Sequence, residues 1–262
     1  MDALAAHDVA LVRADNPGPL TLEGTNTWLV GRDPCWVVDP GPDDVAHVEA
    51  VLDAATGRGG VAGIALTHDH ADHAGAVDAL RRATGGPPVA AARLPGAELR
   101  IADGDHAGPL RVVATPGHAP DHVAFLAGRA LFSGDAVLGH GSVFVAPDRG
   151  ALAAYLAALE RLAALDLAVI CPGHGPPVLD PAAKLAEYRD HRLDRERRLL
   201  AALDDGRRGV DELLDTAWAD VPSTLRPAAA VTLAAHLDKL EEEGRLPDGV
   251  QRPPTSSRSP TR

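Results

Sequence analysis

Apolar and polar positions along this chain fall into short strands alternating with helices. Residues 9–13 read as a first strand, closed by the breaker run Asn16-Pro17-Gly18-Pro19. Residues 27–30 and 35–38 are two further strands around the turn Gly31-Arg32-Asp33-Pro34, and Asp39-Pro40-Gly41-Pro42 ends the second. Asp43 is placed to cap a helix through Ala55, with Val45, Val48, Val51 and Leu52 on its packing face. The apolar run 61–66 predicts a buried strand. Residues 74–84 predict a helix, with Val77 and Leu80 in register and Gly85-Gly86 as the stop. Strands follow at 89–92, 98–102 and 110–114, the last two around the turn Asp103-Gly104-Asp105, then at 130–132 and 167–170. A helix fills 150–165.

Residues 181–203 form a long helix, with Leu185, Tyr188, Leu193, Leu199 and Leu200 on the packing side. Its alternating arginines and acids mark a solvated face. The composition shifts at Gly206-Arg207-Arg208-Gly209. Helices then follow at 210–218 and 222–243, with Gly244 as the cap and Arg245-Leu246 as the start of a short hairpin. The pattern gives a main domain over 1–180, a small winged-helix-like domain over 181–247 and a disordered tail over 248–262, which is Pro/Ser/Arg-rich.

Composition narrows the function. A net charge of −12 argues against broad nucleic-acid binding by the whole surface. No run is long and apolar enough to span a bilayer, and the N-terminus lacks a basic leader; the expectation is a cytoplasmic protein without membrane association. Cys35 and Cys171 lie in separate strands and read as buried thiols rather than a disulfide, with Cys171 close in sequence to the site described next.

The chemistry concentrates in Thr67-His68-Asp69-His70-Ala71-Asp72-His73, between a strand and a helix. Imidazole and carboxylate in this density suit a borderline divalent metal such as zinc. Three more signals sit at strand ends beside glycine: Thr115-Pro116-Gly117-His118 with His122 beyond, Ser133-Gly134-Asp135, and Cys171-Pro172-Gly173-His174-Gly175. Strand ends assemble sites from distant sequence, and glycine admits close backbone approach.

Taken together, H-x-H-x-D-H, His118, Asp135 and His174 resemble the full ligand set of the metallo-beta-lactamase superfamily. The segment from Asn16 to Val30 and the ending from Leu233 to Leu246 resemble the beta-lactamase-like protein 2 group. The resemblance covers about residues 9–246. It implies an α/β (α+β) fold, a four-layer αββα sandwich with a C-terminal winged-helix domain. It also implies two divalent ions, zinc first, with manganese or iron able to take the same donors. His68, His70 and His118 would hold one; Asp72, His73 and His174 the other; Asp135 would bridge them. Asp72 would orient the bridging hydroxide that attacks substrate. His122 would orient a ligand or touch a leaving group, and Asn26 and Thr27 would line the cleft or stabilise their own loop. Asp69 is expected to make structural hydrogen bonds, and His140 is not assigned a role.

The group resembled includes an endoribonuclease on single-stranded RNA and resembles thioesterases, with hydroxyacylglutathione-hydrolase-like esters as the small-molecule counterpart. The RNA reading rests on the extent of the match. The ester reading rests on the acidic surface and an aromatic content of only 3%. Residues 209–246 carry eight acidic and three basic side chains, so no DNA-reading stripe is present. Arg192, Arg195, Arg197 and Arg198 could form a phosphate face or a salt-bridged one, the latter preferred. A non-enzymatic metal protein fits poorly, since structural zinc sites are closed and cysteine-rich. Oligomeric state is left open, a homodimer included.

Overall fold

The computed structural model describes residues 4–145 and 148–254. Strands β1 (Val9–Arg13), β2 (Asn26–Val30), β3 (Cys35–Val38), β4 (Val61–Ala65), β5 (Val89–Ala91) and β6 (Leu99–Arg100) make one sheet in that order. The first three are antiparallel and the rest parallel. Strands β7 (His106–Ala107), β8 (Leu110–Ala114), β9 (Val123–Ala127), β10 (Ala130–Gly134) and β11 (Val169–Pro172) make the second, antiparallel except where β11 joins β10.

The period-two alternation of each strand builds the layers. In β2, Trp28 and Val30 point into a core shared by the sheets, whereas Leu29 packs outward on Ala55. In β10, Ala130 and Phe132 face that same core while Leu131 faces Leu159 and Leu162. Trp28 and Phe132 meet edge to face across the sheets, ring centroids 6.2 Å apart. Both are fully buried, and truncating either to alanine should cost about 3–5 kcal/mol. Helices α1 (Val45–Thr56), α2 (Ala71–Ala74) and α3 (Val77–Ala83) belong to the first sheet; α4 (Ala151–Ala163) and the start of α5 (Pro181–Asp204) cover the second. The result is the expected αββα sandwich.

Several expectations need correction. Asp44, not Asp43, caps α1 by accepting the His47 amide at 2.9 Å, and Val45 is exposed. The buried face is His47, Val51 and Ala55. The helix expected over 74–84 is broken, because the Ala76 amide leaves the helical ladder to bond the Gly41 carbonyl at 2.9 Å. The backbone approaches so closely there that a Cβ on Gly75 would sit 2.8 Å from the Asp43 amide nitrogen. The strands at 98–102 and 110–114 do not pair. The turn between them carries the chain from one sheet to the other. Strand β9 was not anticipated.

Helix α5 serves two cores. Leu185 and Tyr188 pack on the second sheet, while Leu199, Ala202 and Leu203 pack with α6 (Val210–Ala217) and α7 (Arg226–Glu242). Leu193 is exposed, and Arg192, Arg195 and Glu196 are buried instead, because that turn meets the C-terminal helices and their polar groups. Gly244, at φ 66°, ends α7: its amide bonds the Glu241 carbonyl and that of Arg245 bonds Leu240. No strand follows among the described residues, so the expected hairpin is replaced by coil. That coil is held in place. The Gln251 amide donates to the Arg208 carbonyl at 2.9 Å, Arg252 pairs with Asp238 and Glu241, and Pro253 is buried. The expected disorder therefore does not apply to 248–254; residues 255–262 lie outside the described part. No helix among the described residues is long and apolar enough to cross a membrane.

Candidate metal centre

Loops at the strand ends bring seven side chains to one place. Residues 67–73 leave β4, His118 follows β8, Asp135 follows β10 and His174 follows β11. His68 Nε2 lies 3.0 Å from His70 Nδ1, which lies 3.2 Å from His118 Nε2. On the other side, His73 Nε2 lies 3.3 Å from His174 Nε2, and Asp72 Oδ2 lies 3.6 Å and 3.4 Å from these two nitrogens. Asp135 stands between the groups. Its Oδ2 is 3.6 Å from His118 Nε2; its Oδ1 is 3.5 Å from His73 Nε2 and 3.4 Å from His174 Nε2.

These spacings fit a metal. Donors about 2.0–2.1 Å from a tetrahedral ion stand about 3.3 Å from one another. Asp135 Oδ1 is buried with no hydrogen-bond donor among the described residues. Glycine keeps the space open, since a Cβ on Gly173 would lie 2.6 Å from Asp135 Oδ1 and 2.7 Å from His73 Cε1. His68, His70 and His118 could hold one ion, and Asp72, His73 and His174 another, with one oxygen of Asp135 toward each.

Four of the five donor rings are oriented by their other nitrogen. His73 Nδ1 meets Asp39 Oδ2 at 2.9 Å, His68 Nδ1 meets the Thr67 hydroxyl at 2.9 Å, His118 Nδ1 meets the Phe144 carbonyl at 3.3 Å, and His174 Nδ1 meets the Gly24 carbonyl at 3.3 Å. Burial alone would strip protons from these imidazoles, and it does so for His118, pushed down to about 4, and for His68, held well below its ordinary range. His73 and His174 are buried as deeply, yet the carboxylates around them prevail. Asp135 and Asp39 hold His73 well above its usual value, and Asp135 and Asp72 lift His174 to about 9. Burial would raise Asp135, but the neighbouring His73 and His174 imidazoles hold it well below the carboxylate range.

The supporting residues divide as follows. His122 is buried. Its Nε2 accepts the Asp135 amide at 3.1 Å and its Nδ1 meets the Thr115 hydroxyl at 2.8 Å. It braces the backbone of Asp135. Asn26 and Thr27 are fully buried and do not line the cleft, and neither makes a local turn. Asn26 Nδ2 donates to the Pro172 and Gly175 carbonyls at 3.0 and 2.8 Å, which fixes the His174 loop. Thr27 donates to the Asp39 carbonyl at 2.7 Å. Asp69 is exposed and makes no side-chain hydrogen bond among the described residues, contrary to expectation. His140 pairs with Glu23 at 2.8 Å on the surface. Asp39 was missed as a site residue. It was read as a strand-ending turn, although an acid at a strand end before Pro-Gly is the same signal that marked Asp135.

A cleft of about 140 Å³ opens at His118 and Asp135. Its walls include Leu20, Leu22, Leu138, Val143, Phe144 and Leu225, and among the described residues no lysine or arginine lines it.

Known proteins resemble this chain in sequence and fold. Residues 20–99 and 92–174 match the metallo-beta-lactamase superfamily, and residues 210–248 match the beta-lactamase associated winged helix domain. A beta-lactamase-like protein 2 homolog of Drosophila melanogaster is 31% identical over 88% of this chain and 87% of its own length. An atrochrysone carboxyl ACP thioesterase of Aspergillus chevalieri is 34% identical over 84% of this chain and 76% of its own. A crystal structure of a metallo-beta-lactamase family protein from Thermus thermophilus superposes with a TM-score of 0.70 at 27% identity, covering 90% of this chain and 94% of that one. The fold, the donor set and both matched regions make this chain a member of the metallo-beta-lactamase superfamily, a metal-dependent hydrolase that carries the associated winged helix domain and has beta-lactamase-like protein 2 homologs among its relatives.

Proposed function

We propose that this hydrolase uses two divalent ions, zinc foremost, to cleave a thioester or ester that carries an apolar acyl arm. The apolar cleft opening at His118 and Asp135 carries the reading. An acyl chain buries well against Leu20, Leu138, Val143, Phe144 and Leu225, at about 0.8 kcal/mol per methylene. An RNA backbone would need cations there, and none lines the cleft among the described residues. Arg192 and Arg195, considered above as part of a phosphate face, are not among its walls; they line the adjoining cleft, where Asp220 already pairs Arg195. The thioesterase named among the relatives agrees with the ester reading.

His68, His70 and His118 would hold one ion; Asp72, His73 and His174 the other; Asp135 would span both. Bound ions would supply an acidified water and polarise the carbonyl. Asp72 is the most open of the acids, its side chain 30% exposed, so it can accept a proton from the attacking water and orient it. The cleft seats the acyl chain beside this pair. Water oxygen bonds to the acyl carbon, the carbon–sulfur bond breaks, and the thiol leaves with a proton.

The test offers acyl thioesters of graded chain length and a labelled single-stranded RNA to metal-loaded protein, with the His118→Ala/Asp135→Ala double variant beside it. Thiol release by the parent and none by the variant supports the reading. RNA cleavage without thiol release reverses it in favour of the nuclease, and silence on both removes the ester reading.

A further inference from the structure

A second cleft of about 170 Å³ adjoins the first, and the two share Ser142, Val143, Phe144, Leu225 and Ala228 in their walls. It runs between α5 and the segment leading into α7, over Trp218, and its polar lining includes Arg192 and Arg195. Both arginines are buried, at 2% and 3% exposure, yet their charges are treated differently. Arg195 forks onto Asp220, with Arg198 joining it. The other cations of α5 also find acids: Lys184 with Glu187, Arg189 with Asp190, Arg197 and Arg198 with Asp194. Arg192 alone has no carboxylate partner among the described residues. It donates to the Ser142 hydroxyl at 3.2 Å and to the Val143 carbonyl, lies over the Tyr155 ring at 5.4 Å, and keeps a buried Nε with nothing to donate to.

A buried guanidinium without a counter-ion is costly, and charges are rarely left that way unless something pairs them. The surrounding groups feel the excess. His191 is pushed down to about 4 and His236 to about 3, by burial first and then by Arg192. Neither imidazole therefore compensates the charge or adds to it. Asp220 is already shared by two arginines. The cleft thus holds one unbalanced positive charge on a protein whose net charge is −12.

We infer that this second cleft is the distal arm of the substrate site and that Arg192 receives a carboxylate there, so that the preferred substrate is the thioester of a dicarboxylic acid. A monoanion balances one guanidinium, whereas a phosphate dianion would leave a buried negative excess. The surrounding Val143, Phe144, Trp218, Leu225 and Ala228 suit the methylenes between the two ends. The inference rests on the thioesterase reading for its substrate, but not for the existence of the anion site.

The experiment compares suberoyl with octanoyl, and adipoyl with hexanoyl, as N-acetylcysteamine thioesters, which carry no phosphate. The metal-loaded full chain should favour the carboxylated member of a pair by about tenfold or more in kcat/KM. Arg192→Gln should lose that preference while still hydrolysing the octanoyl ester, which shows it folded and loaded. A preference that is absent, or that persists in Arg192→Gln, overturns the inference. Calorimetric titration of the parent protein with suberate against octanoate tests the site without turnover or variant. Both acids offer one carboxylate to the metals, so tighter suberate binding reports the second carboxylate, and equal affinities overturn the anion site. No hydrolysis of any thioester removes the proposed function, and the titration still decides the anion site.

Discussion

Asp39 Oδ2 sits 2.9 Å from His73 Nδ1, and the same carboxylate accepts the Thr67 amide at 2.8 Å and the Thr67 hydroxyl at 2.7 Å. One buried acid therefore ties the end of β3 to the donor loop after β4 and orients a donor ring. Asp39 itself stands at φ 50°, a left-handed conformation that its short side chain tolerates. Carboxylates in this position raise the basicity of the imidazole they hold and fix its tautomer. Asp39→Asn should weaken metal binding by about 10–100-fold. Competition with a chromophoric chelator measures this. Unchanged affinity for both equivalents would show that Asp39 matters to the fold alone, and the melting temperature of metal-free protein separates the two effects.

His122 acts on Asp135 through the backbone, since its Nε2 accepts the Asp135 amide at 3.1 Å inside the protein. Neutral imidazole is required for this, and burial, with the neighbouring His118, holds His122 well below its ordinary pKa. His122→Phe fills the volume but orphans the Asp135 amide and the Thr115 hydroxyl. The expected loss is about 1–3 kcal/mol. Urea unfolding with and without zinc reads it. The gap between the two curves should also shrink, because the carboxylate reaching toward both donor groups loses its support. An unaltered gap with reduced stability would make His122 a packing residue only.

Much of this site was legible because metal chemistry restricts residue type. His68, His70, Asp72, His73, His118, Asp135 and His174 stand next to glycine or at strand ends, and the structure brings all seven together. What was not legible depends on tertiary contacts. The 74–84 region has a helical pattern, but Ala76 takes a backbone partner from the Gly41 loop, which no periodicity records. Leu193 looked like a packing residue because it is apolar, while Arg192 and Arg195 were read as surface. Their turn of α5 faces Tyr155 of α4, the end of α6 at Ala217 and Trp218, and the 142–144 segment, whose polar groups and rings accept guanidinium. Asn26 and Thr27 were read as cleft residues or local turns, but they bond carbonyls far along the chain.

Ala228 lines both clefts from the first turns of α7. A larger side chain there should fill the passage without touching the donor set. Ala228→Trp should therefore retain hydrolysis of acetyl and butyryl thioesters and lose octanoyl and longer ones, with KM rising before kcat falls. Each excluded methylene forfeits about 0.8 kcal/mol of burial. A uniform loss across chain lengths would point to disruption of the 142–144 segment. Unchanged chain-length dependence would place the acyl arm elsewhere.

His236 provides the clearest pH prediction. It is 1% exposed, neither ring nitrogen has a hydrogen-bond partner among the described residues, and its ring packs edge-on to Trp218 with centroids 5.6 Å apart. Burial, with Arg192 and Lys239 next, pushes its pKa down to about 3. In the unfolded chain the same imidazole titrates near about 6.5. Between those values the unfolded state binds a proton that the folded state refuses, so stability is full above about pH 6.5 and drains as the pH falls toward about 3. The slope for one such group is at most about 1.4 kcal/mol per pH unit, or about 2–3 kcal/mol by pH 4.5. His236→Leu keeps a similar volume and forfeits no hydrogen bond, so at pH 7.5 it should match or exceed the parent. At pH 4.5 it should be the more stable chain by most of that difference. Denaturant unfolding of both proteins at the two pH values checks this. Equal acid sensitivity would mean that His236 takes up its proton in the folded state, which the unbalanced charge of Arg192 opposes.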